Sequence, residues 1–372
     1  MEKWILLVTY FFTYILISYL QIKQVAWSRK SIFMGIRIPV EKRKSEELVN
    51  IYENYKKENI LLGSILAILF SMLLYFNYDN ILLVATLPLL YIFFLFLIYL
   101  KYNKKVSLIK EKKGWSKDLL NKTIVDMTYI KEREKIKGYF SWAKLELIII
   151  LVNILLIIYL YPSLPSKIPV HWNLLGQADK YSNKNIYSFI MLLGVQLIMT
   201  IIFYFSYRSI VGAKPELNKD SLDESIIKHR KYVAVWERFI WIIGLSIQVL
   251  FSLINLSSLG ILKDAKLVSV FSLIFCLYVI VASIYLSIKY GQGGENYKDL
   301  GQMEYNRYYV DDDKNWLLGN TLYFNREDPS LFVEKRIGVG WTINIARPAG
   351  ALIFIIPFII LIASLFLLNK YI

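Results

Sequence analysis

The residues best suited to chemistry in this chain lie close together. Val170, His171, Trp172 and Asn173 are followed by Asp179 and Tyr181 within one stretch, PSLPSKIPVHWNLLGQADKYSNKN. Pro162, Pro165 and Pro169 fix extended or turn geometry around them, and Gly176 lets the backbone reverse. A loop punctuated in this way holds its polar and aromatic side chains in place. The imidazole of His171 could then bind an acidic or peptide ligand, or sense external acidification. It could equally hydrogen-bond to Asn173 or Asp179 and brace a loop that needs internal polar partners. Trp172 also suits an interfacial anchor. His171, Trp172, Asn173, Asp179 and Tyr181 are therefore the candidate ligand-binding residues, and Pro165, Pro169 and Gly176 are the framework of the loop.

A second group lies near the C-terminus, in DDDKNWLLGNTLYFNREDPSLFVEKRIGVGWTINIARPAG. Its candidate residues are Trp316, Asn325, Asp328, Lys335, Arg336, Trp341 and Arg347. Apolar stretches at 321–325 and 331–334 flank the turn sequence REDPS, which predicts a short hairpin. Gly338 and Gly340 permit bends before the last apolar block. The segment is expected to fold as a small cap, with Arg347 at the membrane boundary.

Other chemistries lack their residues. The chain has two histidines, His171 and His229, and one cysteine, Cys276. These are too few for a His/Cys zinc site, and a lone cysteine forms no intramolecular disulfide. No HExxH pair and no glycine-rich phosphate loop occurs, so a metalloprotease or an ATP-driven pump is not expected. Neither a Ser/His nor a paired-Asp site stands out within the apolar blocks. The sequence predicts no enzyme and no cofactor.

The elements that position these residues are apolar blocks. The chain is 56% hydrophobic with a mean hydropathy of +0.44, beyond the usual soluble range. The apolar residues gather at 4–22, 60–76, 81–100, 145–161, 187–205, 239–259, 267–288 and 350–368. Each block approaches the length that crosses a hydrocarbon core of about 30 Å as a helix. The first lacks a basic leader and a small-x-small cleavage site, so it is expected to remain as a helix. The predicted fold is an all-α integral membrane protein of about eight spans, with an extracytoplasmic proline-rich loop and a cytoplasmic cap.

Its expected organisation is a three-helix region over 1–144 with basic loops and a membrane pair over 145–205 carrying the loop at 162–186. Two further helices over 206–288, the cap at 289–349 and a last helix over 350–372 complete it. Lys and Arg counts in the seven successive loops run nine, none, thirteen, three, seven, two and eight. Cytoplasmic loops retain positive charge, so the odd loops are expected inside and both termini outside. That retention also accounts for the net charge of +15 without nucleic acid.

Further positions bear on how the spans pack. After Pro39, the residues Leu48, Ile51, Tyr52 and Tyr55 share one helix face, predicting an amphipathic helix on the inner leaflet or against the bundle. In the long third loop, Ile124, Met127, Tyr129 and Ile130 give a weaker apolar pattern. Polar residues within spans are costly. Asn153, Gln196, Gln248 and Asn255 are expected to hydrogen-bond between helices, and Glu146, near a span end, to snorkel toward the surface.

The loop stretch LPSKIPVHWNLLGQADKYSNK, residues 164–184, closely resembles the signature of a bacterial membrane-protein family: a domain of unknown function shared with SdpI-type immunity proteins. Leu164, Pro165, Ile168, Pro169, His171, Asn173, Gly176, Asp179 and Lys184 carry the match. MGIRIP, residues 34–39, is similar to a Gly-Ile-Arg-x-Pro element of the same group. Residues 316–347 resemble an uncharacterised C-terminal domain that accompanies this loop in Gram-positive bacteria. SdpI-type proteins protect a cell from a secreted toxic peptide and relay its presence by holding a transcriptional repressor at the membrane.

This chain departs from that type in its eight spans, long third loop and cap. The resemblance implies a multi-pass plasma-membrane protein that binds a peptide or envelope ligand outside and acts in immunity or signal relay. The alternative is a permease or transporter subunit for a small solute. The expected partners are the lipid bilayer, a secreted peptide and a transcriptional regulator at the cytoplasmic loops, with no direct nucleic-acid contact.

Overall fold

The computed structural model describes residues 2–119, 138–173, 176–217, 222–262, 265–297 and 311–371. The pattern at Ile124, Met127, Tyr129 and Ile130 lies outside them. The described helices are α1 (Glu2–Trp27), α2 (Glu46–Phe76), α3 (Ile81–Lys112), α4 (Gly138–Leu160), α5 (Ile186–Gly212), α6 (Leu222–Ser258), α7 (Lys266–Tyr290) and α8 (Pro348–Tyr371). The first seven are long and apolar enough to cross a membrane. In α8, which holds the eighth expected span, the apolar part with described side chains is Pro348–Ile359. Leu, Ile, Val and Phe side chains cover the outer faces of these helices, the surface that hydrocarbon rather than water tolerates.

The chain forms two compact units. The first comprises Met1–Val125, Ala213–His229 and Lys289–Ile372. Its core is the packing of α1, α2 and α3 around Tyr14, Tyr55, Tyr91 and Tyr99, all buried. In apolar surroundings a tyrosine hydroxyl needs an acceptor, and backbone carbonyls supply it. Tyr55 donates to the Gln21 carbonyl at 3.1 Å and Tyr91 to that of Gly63 at 3.2 Å. The helix expected after Pro39 is the N-terminal part of α2, continuous with the second span. Its Leu48 and Tyr55 pack against the bundle, not on a leaflet. Asn80 ends the tight link to α3 and caps it, accepting from Leu83 N at 3.1 Å.

Between α1 and α2 runs a minimal hairpin, β1 (Ile32–Phe33) with β2 (Ile36–Arg37), so the MGIRIP stretch has a defined shape. Met34 and Gly35 turn it with φ of 49° and 82°. Asn103 Nδ2 and the Tyr99 hydroxyl clamp the Met34 carbonyl at 2.6 and 3.0 Å. A side chain on Gly35 would meet the Tyr99 oxygen at 2.5 Å, so glycine is required there on two counts.

The second unit comprises Asp126–Gly212 and Arg230–Ile288. Here α4, α5 and most of α6 share a polar seam. Asn153 Nδ2 donates to Gln196 Oε1 at 3.3 Å and Ser252 Oγ at 2.9 Å. Gln248 Nε2 donates to the Gln196 carbonyl at 2.9 Å and Thr200 Oγ1 at 3.0 Å, and Asn255 Nδ2 to Asn153 Oδ1 at 3.4 Å. These are the interhelical bonds expected of the four amides. Glu146 differs from its expectation: it is fully buried and does not snorkel.

Candidate functional site

Two assemblies carry the candidate residues, one in each unit. In the second unit the proline-rich loop is a hairpin of β3 (Lys167–Trp172) and β4 (Ala178–Asn183). Register shifts around His171 bulge β3, which follows from the proline at 169 that cannot donate to the ladder. Two anchors hold the hairpin. At its base Ile168 is buried in a cluster with Ile157, Phe189 and Leu259. At its tip Gly176, at φ 76°, accepts through its carbonyl from Ala265 N at 3.2 Å. A Cβ there would lie 2.2 Å from Lys266 N, so only glycine allows the approach.

Between the anchors the side chains are open. Val170, His171, Asp179 and Tyr181 are exposed, whereas Trp172 and Asn173 are half-buried. His171 Nδ1 and Asp179 Oδ1 lie 2.5 Å apart across the strands. The hydrogen bond from His171 holds the Asp179 carboxyl below its ordinary range. Asn173 turns inward on its own loop, its Oδ1 accepting from Gln177 N at 3.0 Å. Lys184 closes the base, donating to the carbonyls of Pro162 and Leu164 at 3.2 Å each. The loop is thus both braced internally, as one reading of His171 required, and open on one face.

In the first unit the cap is built from β5 (Trp316–Leu317) with β6 (Leu322–Tyr323), and β7 (Phe332–Glu334) with β8 (Trp341–Ile343). The stretches at 321–325 and 331–334 therefore do not pair across REDPS. Each pairs with its other neighbour in sequence, because Asp328 and Asn344 occupy the REDPS turn. Asn344 Nδ2 donates to the Asn325 carbonyl at 2.9 Å, and Arg347 Nε to that of Asp328 at 2.8 Å. Asp328 is buried and takes Lys214 at 2.9 Å and the Tyr323 hydroxyl at 2.9 Å. Burial works against its charge, yet Lys214 and the hydrogen bonds that Ser330 donates to it keep its carboxyl below the usual range.

Beneath the cap lies a buried charge network that the sequence alone does not reveal. Arg29, just past the end of α1, contacts Glu334, Glu295 at 3.4 Å and Glu216 at 3.5 Å. Arg37, on β2, pairs with Glu216 and with Asp312 at 3.2 Å. Arg336 pairs with Asp312 and with Asp313 at 2.8 Å, lying over the Trp316 ring at 5.2 Å. Lys110 reaches Asp311 and Asp313 at 2.7 Å each. His229 Nε2 stands 3.0 Å from Glu334 Oε1.

Desolvation opposes the charged state of Glu216, Glu334 and Asp311, and the cations outweigh it. Arg37 and Arg29 draw Glu216 down to about 2, while Arg29 and His229 hold Glu334 below the ordinary carboxylate range. Of the candidate cap residues, Arg336 and Trp316 belong to this network. Asn325, Asp328 and Arg347 belong to the turn beside it. Trp341 pairs with Glu334 in the β7–β8 register, and Lys335 is exposed, its backbone N–H donating to Gly340 at 3.0 Å. Sequence reasoning missed Arg29, Arg37, Glu216, His229, Glu295 and Glu334. The one available signal was the arginine of the MGIRIP stretch.

Helices of this length and apolar character fit a multi-pass protein in a lipid bilayer. Two family matches narrow that class. Residues 148–197 match a domain of unknown function (DUF1648), and residues 326–350 a family of unknown function (DUF5808). The first match takes in most of α4, the whole hairpin and the start of α5. The second takes in the Asp328 turn, β7, Arg336 and β8. No curated protein and no solved structure matches the chain.

Proposed function

We propose that this chain is a bacterial plasma-membrane protein that recognises a peptide or envelope ligand through the β3–β4 hairpin and acts in immunity or signal relay. The observation that carries this reading is the hairpin itself. It is anchored at both ends yet offers Val170, His171, Asp179 and Tyr181 to solvent, as a two-stranded sheet with no further strand among the described residues. Such an edge can take an extended peptide as an added strand through main-chain hydrogen bonds, with neighbouring side chains giving selectivity. Of the two edges β4 suits this better, since Pro169 interrupts the donor row of β3.

The charge asymmetry of the loops supports a topology with the hairpin outside and the cap inside. The resemblance to SdpI-type proteins supports immunity, with the basic inner loops as the docking place for a regulator. The test is survival of cells expressing the chain when challenged with secreted-peptide fractions of a producer strain. His171→Ala combined with Asn173→Ala is expected to abolish protection at unchanged membrane abundance. Full protection by the double variant would remove the hairpin from the mechanism.

A second reading, a permease or transporter subunit, draws on the buried amides Asn153, Gln196, Gln248 and Asn255. Solute flux in proteoliposomes of the purified protein separates the two.

A further inference from the structure

The polar seam of the second unit holds one ionisable group that hydrogen bonding between helices does not explain. Glu146 on α4 is fully buried, and among the described residues neither of its carboxyl oxygens has a hydrogen-bond partner in good geometry. Its surroundings are Gly244 on α6, whose Cβ would come within 2.7 Å of Oε1, and, beside Gly244, the Phe203 ring on α5. The polar neighbour that acts on it is Thr200, whose hydroxyl also accepts from Gln248. Among the described residues, the ionisable side chains of the three helices nearest in sequence, Arg208, Glu237 and Arg238, make no ion pair with it, and Thr200 is the side chain that acts on its charge.

Two more buried oxygens of the same seam lack a donor, Gln248 Oε1 and Asn255 Oδ1. The Asn255 oxygen lies further along the seam, near Asn153, about 10 Å beyond Glu146 at 1.5 Å per residue. These unsatisfied side-chain atoms of Glu146, Gln248 and Asn255 are all oxygens, acceptors or cation ligands. An ionised carboxylate in an apolar bundle costs several kcal/mol unless a positive charge accompanies it. Among the described residues no protein cation does so, and no cluster of three acids, histidines or cysteines exists to favour a divalent metal.

We infer that Glu146, with Thr200 and Gln248, forms a buried site for one exchangeable monovalent cation, either a proton or an alkali ion. The amides of Asn153 and Asn255 extend it along the helices. Gly244 gives the site its room, since any side chain at that position would occupy it. This site is independent of the hairpin's ligand, and its failure would leave the hairpin reading untouched.

The test is reaction of the purified full chain in micelles with dicyclohexylcarbodiimide, an apolar reagent that attacks protonated carboxyls, read by mass spectrometry at Glu146. Labelling at neutral pH without sodium is expected. Saturable protection by sodium chloride, but not by choline chloride, identifies an alkali-ion site. Gln248→Leu should then raise the half-protecting sodium concentration at least tenfold. Labelling that sodium leaves unchanged but that falls as pH rises identifies an exchangeable proton. Absence of label at Glu146, or labelling that neither sodium nor pH alters, overturns the proposal.

Discussion

Replacing Glu334 by glutamine removes one charge from the centre of the buried network while keeping the shape of the side chain. The Glu334 side chain is 3% exposed and faces Arg29 and His229, whose side chains are 5% and 1% exposed. Removing one partner of such a pair costs about 3–5 kcal/mol, because the other charge stays buried. Arg29 retains Glu295 at 3.4 Å and Glu216 at 3.5 Å, so the lower end, about 3 kcal/mol, is expected. Unfolding of the purified protein in detergent micelles, followed by tryptophan fluorescence, reports it, since Trp316 and Trp341 lie in the affected cap. A cycle with Arg29→Met should give a coupling of about 1–3 kcal/mol between the two positions. Wild-type stability of Glu334→Gln, or strict additivity with Arg29→Met, would refute the assignment of the network as what holds the cap to α1.

The same network sets an acid limit. Glu216 has a folded pKa of about 2, below its unfolded value of 4.5. Its contribution to stability is therefore complete above that unfolded value and is lost as pH falls toward 2, so the unfolding midpoint should drop across that window. Arg37→Lys should destabilise by about 2 kcal/mol in the same assay, because an ammonium cannot span Glu216 and Asp312 as the guanidinium fork does. Gly176→Ala should release the hairpin tip from Ala265 and Lys266 and speed protease cleavage within 162–186, with cleavage elsewhere unchanged.

Hydropathy and length were enough to place the membrane helices, because a bilayer demands an unbroken apolar stretch that a linear reading detects directly. Pro165, Pro169 and Gly176 likewise announced a loop of fixed geometry, since their conformational limits act locally, but not its pairing into the β3–β4 hairpin. The partners of the cap residues were not legible in this way, and the pairing within the cap was misjudged. REDPS is a sound turn sequence, but Asn344 and Arg347, arriving from beyond β8, fill it and send 321–325 and 331–334 to other strands.

Glu146 shows the same limit from the opposite side. Its position near a span end predicts snorkelling, and only the approach of α5 and α6 encloses it. The sequence by itself thus determined which segments are long and apolar enough to cross a membrane and which loop carries turn-fixing residues, because those properties depend on residues adjacent in the chain. Only the tertiary structure decided that Arg29 meets Glu334, 305 residues away, and that Glu146 stands without a counter-charge among the described residues. Electrostatic partners are chosen by proximity in space, and nothing in a local pattern encodes it.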